Sequence, residues 1–313
     1  MSSPNHPRLE PHPPIAAEAP LAGIPGADSS PNPYSSDAMA TDPNLSTHFP
    51  SGLEAYAAAP VVSPPVEDPV FNGWDVLLIA SLTFVTMIVL QLGVTFGAHA
   101  LWYRHESLTD VAQKPILLMV SQFLLYIAVA ACMVAVVEGK YHVAFWPAIR
   151  WNWPRTGAWR LLAVGGVMFF GLVLLQNFLP SPKDTPFEHL FDRPRDAYLL
   201  SIIAVSFGPL MEELFFRGFL YPVLARRTGV AWAVVLTALP FGLIHLPQYA
   251  WAWSAALVVF LVGVACGVVR AASRSVGASV LVHIGYNGMQ MLIAIAATRG
   301  FTHMDKALAF GSR

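Results

Sequence analysis

The sequence predicts an all-α protein, a polytopic transmembrane helix bundle of about seven spans (seven to eight) preceded by a disordered N-terminal tail. Composition is the first reason: of 313 residues, 55% are hydrophobic and 12% are charged, and the mean hydropathy is +0.54. These values lie outside the usual range for soluble globular proteins. Several apolar runs also reach about 20 residues, the length at which a helix crosses the bilayer core. Finally, the composition changes abruptly near residue 70, which separates the tail from the bundle.

Residues 1–69 are predicted to be the disordered tail. Fifteen of the chain's 26 prolines fall in this stretch, together with many Ser, Asn, Ala and Gly residues and no apolar periodicity. Such a segment cannot bury enough apolar surface to offset the entropy lost on folding. It has no basic region followed by an apolar one, so we do not expect a cleaved secretory signal. The first span is expected to direct membrane insertion.

Seven apolar runs are the predicted spans. Five of them contain no Asp, Glu, Lys or Arg and lie at 76–98, 115–137, 161–180, 250–269 and 275–298. The other two, at 197–225 and 228–246, are long enough but carry ionisable residues. Lys and Arg residues divide evenly between the two predicted sides of the membrane, so the positive-inside rule does not predict an orientation.

The spans fall into two predicted regions. Residues 70–185 hold the N-terminal transmembrane helices and, at 138–160, an interfacial loop rich in Trp and Arg, since amphipathic rings favour the headgroup level. Residues 186–313 form a second helix bundle. This second bundle contains nearly all of the polar and ionisable residues that lie within spans.

Two adjacent carboxylates and an arginine interrupt one apolar run, in the stretch MEELFFRGFL. An ionisable residue in hydrocarbon costs a few kcal/mol or more, so it normally faces a bundle interior or a water-filled cavity. Glu213 and Arg217 are spaced i and i+4 with the acid first, which favours an ion pair within the helix. Glu212 lies about 100° away around the helix axis. Glu212 is therefore free to meet a group from another helix.

Two further pairs share the i, i+4 spacing on later spans. Phe241 and His245 occur in FGLIH, and His283 and Asn287 occur in HIGYN. Each pair lies on one face of its helix. The last four spans thus supply one unpaired carboxylate, two imidazoles and an amide that could point into a common interior.

These groups support peptide or ester hydrolysis in two ways. A buried carboxylate at Glu212 can act as general base on water with help from an imidazole, while a second imidazole and an amide stabilise the oxyanion. Alternatively, Glu212, His245 and His283 could hold a zinc ion, because catalytic zinc commonly has three N and O ligands. The sequence contains no H-E-x-x-H motif, and we assign no metal. Zinc stays an open alternative at this point.

The motifs carry a family resemblance. The stretches EELFFR (212–217), FGLIH (241–245) and HIGYN (283–287) resemble the E-E-x-x-x-R, F-x-x-x-H and H-x-x-x-N/B motifs of one group of membrane proteases. This group is the CPBP (CAAX-processing and bacteriocin-processing, also ABI) family of intramembrane endopeptidases, which includes the type II CAAX prenyl proteases. The resemblance covers about 186–298, so the region 186–313 is expected to be a CPBP-like catalytic bundle.

The resemblance implies a role for each of four residues. Glu212 resembles the general base and His245 its assistant, while His283 and Asn287 resemble the oxyanion-stabilising pair. Of the two mechanisms argued for the family, glutamate-based and metal-based, we favour the glutamate mechanism. The expected activity is an intramembrane endopeptidase with a cavity open toward the cytosol.

Three other positions match supporting members of the motifs, namely Glu213, Arg217 and Phe241. The resemblance also implies contact with membrane lipids and a peptide or protein substrate, which is lipidated in the CAAX-processing relatives. We expect the chain in the cytoplasmic membrane of a prokaryote. The formal net charge of −1 gives no basic field, so nucleic acid is not an expected partner.

Two other classes of function are alternatives. A proton- or solute-coupled transporter is one, because Glu and His within spans also mark proton relays. It predicts internal repeats, but the first three spans contain no second copy of the motifs. A non-catalytic membrane scaffold or immunity protein that keeps the motifs for stability is the other.

Overall fold

The computed structural model describes residues 67–154, 157–180 and 185–303. Within them the regular elements are helices and no β-strand occurs, as the sequence predicts. The helices in chain order are α1 (Gly73–Leu101), α2 (Leu108–Ala112), α3 (Pro115–Val134), α4 (Phe145–Ala148), α5 (Ala158–Gln176), α6 (Pro186–His189), α7 (Pro194–Val205), α8 (Phe207–Glu213), α9 (Tyr221–Thr228), α10 (Val230–Leu243), α11 (Trp253–Ser273) and α12 (Val276–Ala297). Two π-helical segments, Ala135–Lys140 and Leu214–Leu220, and one 3-10 turn, Leu246–Tyr249, complete them.

All seven predicted spans coincide with helices. Among the described residues, six helical runs are long and apolar enough to cross a bilayer: Gly73–Leu101, Pro115–Lys140, Ala158–Gln176, Pro194–Thr228, Trp253–Ser273 and Val276–Ala297. The seventh predicted span is the shorter apolar helix α10. The chain is thus an integral, multi-pass membrane protein. Residues 1–66 of the predicted tail lie outside the described residues.

Two of these seven helical runs are irregular. Helix α10 has 14 residues. At about 1.5 Å per residue it is about 21 Å long, short of a hydrocarbon core of about 30 Å. The run Pro194–Thr228 is divided at Ser206, where φ is −116° and ψ is −76°. Pro209 follows and has no N–H to continue the helical hydrogen bonds. Irregular backbone at membrane depth is tolerated where it is buried in protein or lines a water-filled cavity.

Large apolar side chains are divided between a protein core and a lipid-facing surface. The main core includes Phe71, Ile79, Met133, Ile149 and Phe219, each at most 1% exposed. Many others, such as those of α1 and α5, lie on the outside. Lipid tails are as apolar as these side chains, so their exposure is expected of a membrane protein.

Helices α5 and α12 pack backbone against backbone. A Cβ atom on Gly165 would overlap the carbonyl oxygen of Val282, and one on Gly285 would overlap that of Leu162. Small residues allow this close approach between membrane helices. Gly285 belongs to the HIGYN motif, so the close contact with α5 fixes the position of α12 at the level of that motif.

The residues before α1 form a packed segment that we call the strap (residues 67–71). Glu67 is 7% exposed, and the Phe71 ring stacks on Phe219 with a centroid separation of 4.4 Å. Asn72 then caps α1, accepting from the backbone N–H groups of Trp74 and Asp75. The last three residues of the predicted tail, 67–69, therefore pack against the helix bundle.

The predicted interfacial loop at 138–160 starts in the π-helical segment Ala135–Lys140, contains the short helix α4 and ends in the first turn of α5. Three of its four tryptophans, Trp146, Trp153 and Trp159, are between 51% and 68% exposed. The Arg160 guanidinium lies 5.5 Å from the Trp159 ring centre. Exposed aromatic rings beside a cation suit the headgroup region of a membrane.

Candidate active site

Three elements of the second bundle bring the motif residues together. The end of α8 and the π-helical segment that follows it carry the two glutamates and the arginine. His245 lies two residues after the end of α10, and His283 lies in the first half of α12. Pro222 lacks the N–H that would bond the carbonyl of Gly218, which favours the irregular turn before α9. Such π-helical insertions occur often at functional sites.

Glu213 and Arg217 form a fully buried ion pair, as their spacing predicts. Both side chains are 0% exposed, and Arg217 Nη1 donates to Glu213 Oε1 at 2.8 Å. Arg217 Nη2 also donates to the carbonyl oxygen of Gly263 on α11. Glu213 Oε1 lies 3.0 Å from His283 Nδ1. We call α8 and the π-helical segment Leu214–Leu220 together the motif helix. The pair therefore joins the motif helix to both α11 and α12.

Glu212, one residue earlier, has a different environment. Its side chain is 25% exposed. Its Oε1 lies 4.0 Å from His245 Nε2 and its Oε2 lies 3.8 Å from His283 Nε2. Both separations are too long for a direct hydrogen bond. Glu212 is thus the accessible carboxylate of the two and lies between the two imidazoles.

The tautomer of His245 follows from its partner. His245 Nδ1 lies 2.7 Å from the carbonyl oxygen of Phe241. A carbonyl oxygen only accepts, so Nδ1 carries the proton and Nε2 of the neutral ring has a lone pair facing Glu212. Phe241 is 1% exposed, and its ring lies 5.0 Å from that of His245 and 5.7 Å from that of His283. Phe241 therefore holds both imidazoles in place.

His283 and Asn287 lie one turn apart on α12 but have different partners. His283 Nδ1 donates to Glu213, so in the neutral ring Nε2 is an acceptor, and in the imidazolium it becomes a donor. Asn287 Nδ2 donates to the carbonyl oxygen of Ala204 at 2.7 Å. That carbonyl lies at the end of α7, just before the helix is interrupted at Ser206. One amide hydrogen of Asn287 is thus already used.

Residues 194–289 match the family described as type II CAAX prenyl endopeptidase Rce1-like. The match covers less than half of the chain, and it supports the resemblance of this region to the CAAX-type proteases of the CPBP family. Because the matched family is an endopeptidase family, the match supports a peptide hydrolase in the membrane. No curated protein and no solved structure shows significant similarity to the chain.

The matched region includes the four residues predicted to be catalytic. Glu212, His245 and His283 come together from three different elements. Asn287 lies one turn after His283 on α12 and donates a hydrogen bond to Ala204. The roles assigned to these residues stay predictions.

Glu212, His245 and His283 do not have the spacing of the zinc centre that the sequence left open. Four tetrahedral ligands about 2.0–2.1 Å from zinc lie about 3.3 Å from one another. The two imidazoles are 4.0 and 3.8 Å from the Glu212 carboxylate, and each faces a different oxygen. The donor types of Glu212, His245 and His283 suit zinc, but their spacing does not.

A second potential ligand set lies deeper. Among the described residues, Glu213, Cys266 and His283 bring one ligand atom each within 4.8 Å of one another. However, Glu213 Oε1 already accepts from the Arg217 guanidinium and from His283. A cation on that carboxylate opposes the binding of a metal dication. We therefore interpret Glu213, Cys266 and His283 as residues that support the site structurally and not as metal ligands.

Two tyrosines near Glu212 were not predicted from the sequence. Burial raises the pKa of Tyr249 to about 12, and the negative charge of Glu212 contributes to the rise, so its hydroxyl stays a donor at neutral pH. The Tyr126 hydroxyl lies 3.5 Å from where a Cβ on Gly208 would be, one turn before Glu212. Tyr249, four residues after His245, could have been noticed as an extension of that motif. Tyr126 on α3 has no signal in the sequence.

Proposed function

We propose that the chain hydrolyses peptide bonds with a water molecule that Glu212 activates as general base and His245 helps to orient. The observation that carries this proposal is the contrast between two adjacent glutamates. Glu213 is fully buried and paired with Arg217, whereas Glu212 is partly exposed and lies between two imidazole nitrogens. A general base must be able to reach substrate water, and only Glu212 meets that condition.

The hydrogen-bonding properties of the site suit a water nucleophile. Glu212 and the Nε2 atom of neutral His245 are both acceptors. A water that donates one proton to each of them keeps its lone pairs free for attack on a carbonyl carbon. In the hydrolytic step the water oxygen bonds that carbon and one water proton passes to Glu212. Collapse of the tetrahedral intermediate breaks the C–N bond, and Glu212 returns the proton to the leaving amine.

The developing oxyanion needs donors on the other side of the carbonyl. We assign this role to Nε2 of His283 in its imidazolium form and to the second amide hydrogen of Asn287. The bond from Asn287 to Ala204 fixes the orientation of the amide, which favours a preorganised donor. Glu213, bound to His283 Nδ1, holds the ring for this purpose.

The substrate class that we propose is a prenylated C-terminal Cys-a-a-X peptide. Two arguments support it. The matched family is described as a type II CAAX prenyl endopeptidase. In addition, the motif residues lie on or next to apolar helices, so a prenyl chain could stay in lipid while the peptide enters the site. The cytoplasmic membrane of a prokaryote stays a prediction, as does catalysis without metal.

The test uses purified full-length protein and an internally quenched peptide that ends in S-farnesyl-Cys-a-a-X. We expect cleavage after the farnesylated cysteine, much slower cleavage of the same peptide without the farnesyl group, and no loss of rate with 1,10-phenanthroline. The Glu212→Gln variant, purified to the same folded state, should be inactive. Equal rates for this variant and the parent would remove Glu212 from its role, and inhibition by the chelator would contradict the metal-free mechanism.

A further inference from the structure

We propose that Glu67 of the strap is a positioning residue for the peptidase site, acting through Arg270 on the π-helical segment Leu214–Leu220. This inference rests on the proposed function of the site. It concerns a residue outside the three motifs and outside the matched region 194–289.

The contact between Glu67 and Arg270 is a buried, two-pronged ion pair. Arg270, in the last turn of α11, is 0% exposed, and Glu67 is 7% exposed. Arg270 Nη1 donates to Glu67 Oε1, and Nη2 donates to Oε2 at 2.7 Å. This fork geometry is the strongest form of an arginine–carboxylate contact. It ties residue 67 to α11 across 203 positions of the chain.

Arg270 also contacts the motif helix directly. Its Nε donates to the backbone carbonyl oxygen of Arg217 at 3.1 Å. The Arg217 side chain in turn holds Glu213, and Glu213 holds His283. A continuous series of hydrogen bonds therefore runs from the strap to an imidazole that faces Glu212.

The charges along this series explain why Glu67 matters. Within residues 67–154, 157–180 and 185–303, Arg270 pairs with the carboxylate of Glu67, and Arg217 pairs with that of Glu213. Loss of the charge on Glu67 would leave Arg270 as an uncompensated buried cation, which is strongly unfavourable. Arg270 would then have to move toward water or toward another carboxylate. Either movement withdraws its Nε from the carbonyl of Arg217.

The strap contacts the π-helical segment a second time. Phe71 stacks on Phe219, which belongs to that segment. The next carboxylate, Asp68, has a different partner: it is 83% exposed and pairs with Arg226 of α9 at 2.9 Å. Asp68 thus pairs the strap with α9, whereas Glu67 pairs it with α11. It therefore offers a matched control for Glu67.

The first test compares Glu67→Gln with Asp68→Asn in the full chain, using the farnesylated quenched peptide. Misplacement of a reacting group by a distant change lowers rates by up to about 100-fold, so we expect kcat of Glu67→Gln to fall about 10- to 100-fold. KM should change little, because the effect concerns the geometry of catalysis. Asp68→Asn should keep the parent kcat, and Glu67→Asp should recover part of it.

A second measurement, the rate at which Cys266 is alkylated, does not depend on peptidase activity. Cys266 is 0% exposed and lies one turn before Arg270 on α11. In a Cys132→Ala background, where Cys266 is the remaining cysteine, Glu67→Gln should speed its alkylation by N-ethylmaleimide, and Asp68→Asn should not. If the parent cleaves no peptide, the proposed function fails, and this comparison still decides the role of Glu67.

The proposal would be overturned if Glu67→Gln kept both the kcat of the parent and the slow Cys266 alkylation of the parent. If Glu67→Gln does not fold, Arg270→Lys replaces it, since lysine keeps the charge but cannot bond Glu67 in a fork and Arg217 at the same time. A lowered kcat at an unchanged thermal midpoint in Arg270→Lys supports the proposal. Parent kcat in that variant contradicts it.

Discussion

The adjacent glutamates allow one chemical change to be made in two environments. Glu212→Gln and Glu213→Gln each replace a carboxylate by an amide of nearly the same shape. We expect opposite phenotypes. Glu212→Gln should fold normally and lose peptidase activity, and Glu213→Gln should lose stability first.

The expected magnitudes follow from burial and contacts. Glu213 and Arg217 are both 0% exposed and bonded at 2.8 Å. Removal of one partner from a buried ion pair costs about 3–5 kcal/mol, because the other charge is left uncompensated. Glu212 is 25% exposed and makes no direct hydrogen bond to either imidazole. Its replacement should therefore cost about 1 kcal/mol or less. Loss of a general base, by contrast, lowers kcat by about 10²- to 10⁴-fold.

Thermal unfolding in detergent, followed through the nine tryptophans, measures the first effect. The midpoint of Glu213→Gln should lie on the order of 10 °C below that of Glu212→Gln. Cleavage of the farnesylated peptide measures the second effect. Equal midpoints for the two variants would refute the argument from burial, and parent-like kcat in Glu212→Gln would refute the assignment of the base.

Two further changes test the other side of the site. Asn287→Ala removes an oxyanion donor and should lower kcat about 10²- to 10³-fold with little change in KM, as measured on the same peptide; an effect on KM alone would assign Asn287 to substrate binding. Gly285→Ala should sharply lower both the thermal midpoint and kcat, because the added Cβ would overlap the carbonyl oxygen of Leu162. Gly288→Ala is the control, since its Cβ would meet its nearest neighbour at 3.7 Å, an ordinary contact; similar losses in both variants would show that backbone approach is not the cause.

Much of the architecture could be predicted because it depends on local properties. The length and polarity of apolar runs predicted the six helical runs that are long enough to cross a bilayer and the shorter helix α10, and i, i+4 spacing predicted the pair of Glu213 with Arg217. The shortness of α10 was not evident, because its predicted run, 228–246, extended past Leu243 to the first residue of the 3-10 turn Leu246–Tyr249. Apolar composition does not show where a membrane helix ends and a turn begins.

Contacts between helices could not be predicted in the same way. Spacing tells which residues share one face of a helix, but it does not tell which faces meet. The bond from His283 to Glu213 therefore required the packing of α12 on the motif helix. The bond from Asn287 to Ala204 required a carbonyl at the interrupted end of α7. Likewise, a composition typical of disorder extends to residue 69, while the partner of Glu67 lies 203 positions away.

The central claim is that Glu212 and His245 act on the same water. A double-mutant cycle on kcat, with Glu212→Gln, His245→Ala and the combined variant in single-turnover cleavage of the farnesylated peptide, tests it most directly. Residues that act as a unit are strongly non-additive, so the combined variant should be about as slow as Glu212→Gln alone. If the two losses instead multiply, the two side chains act independently, and the shared-water mechanism is contradicted.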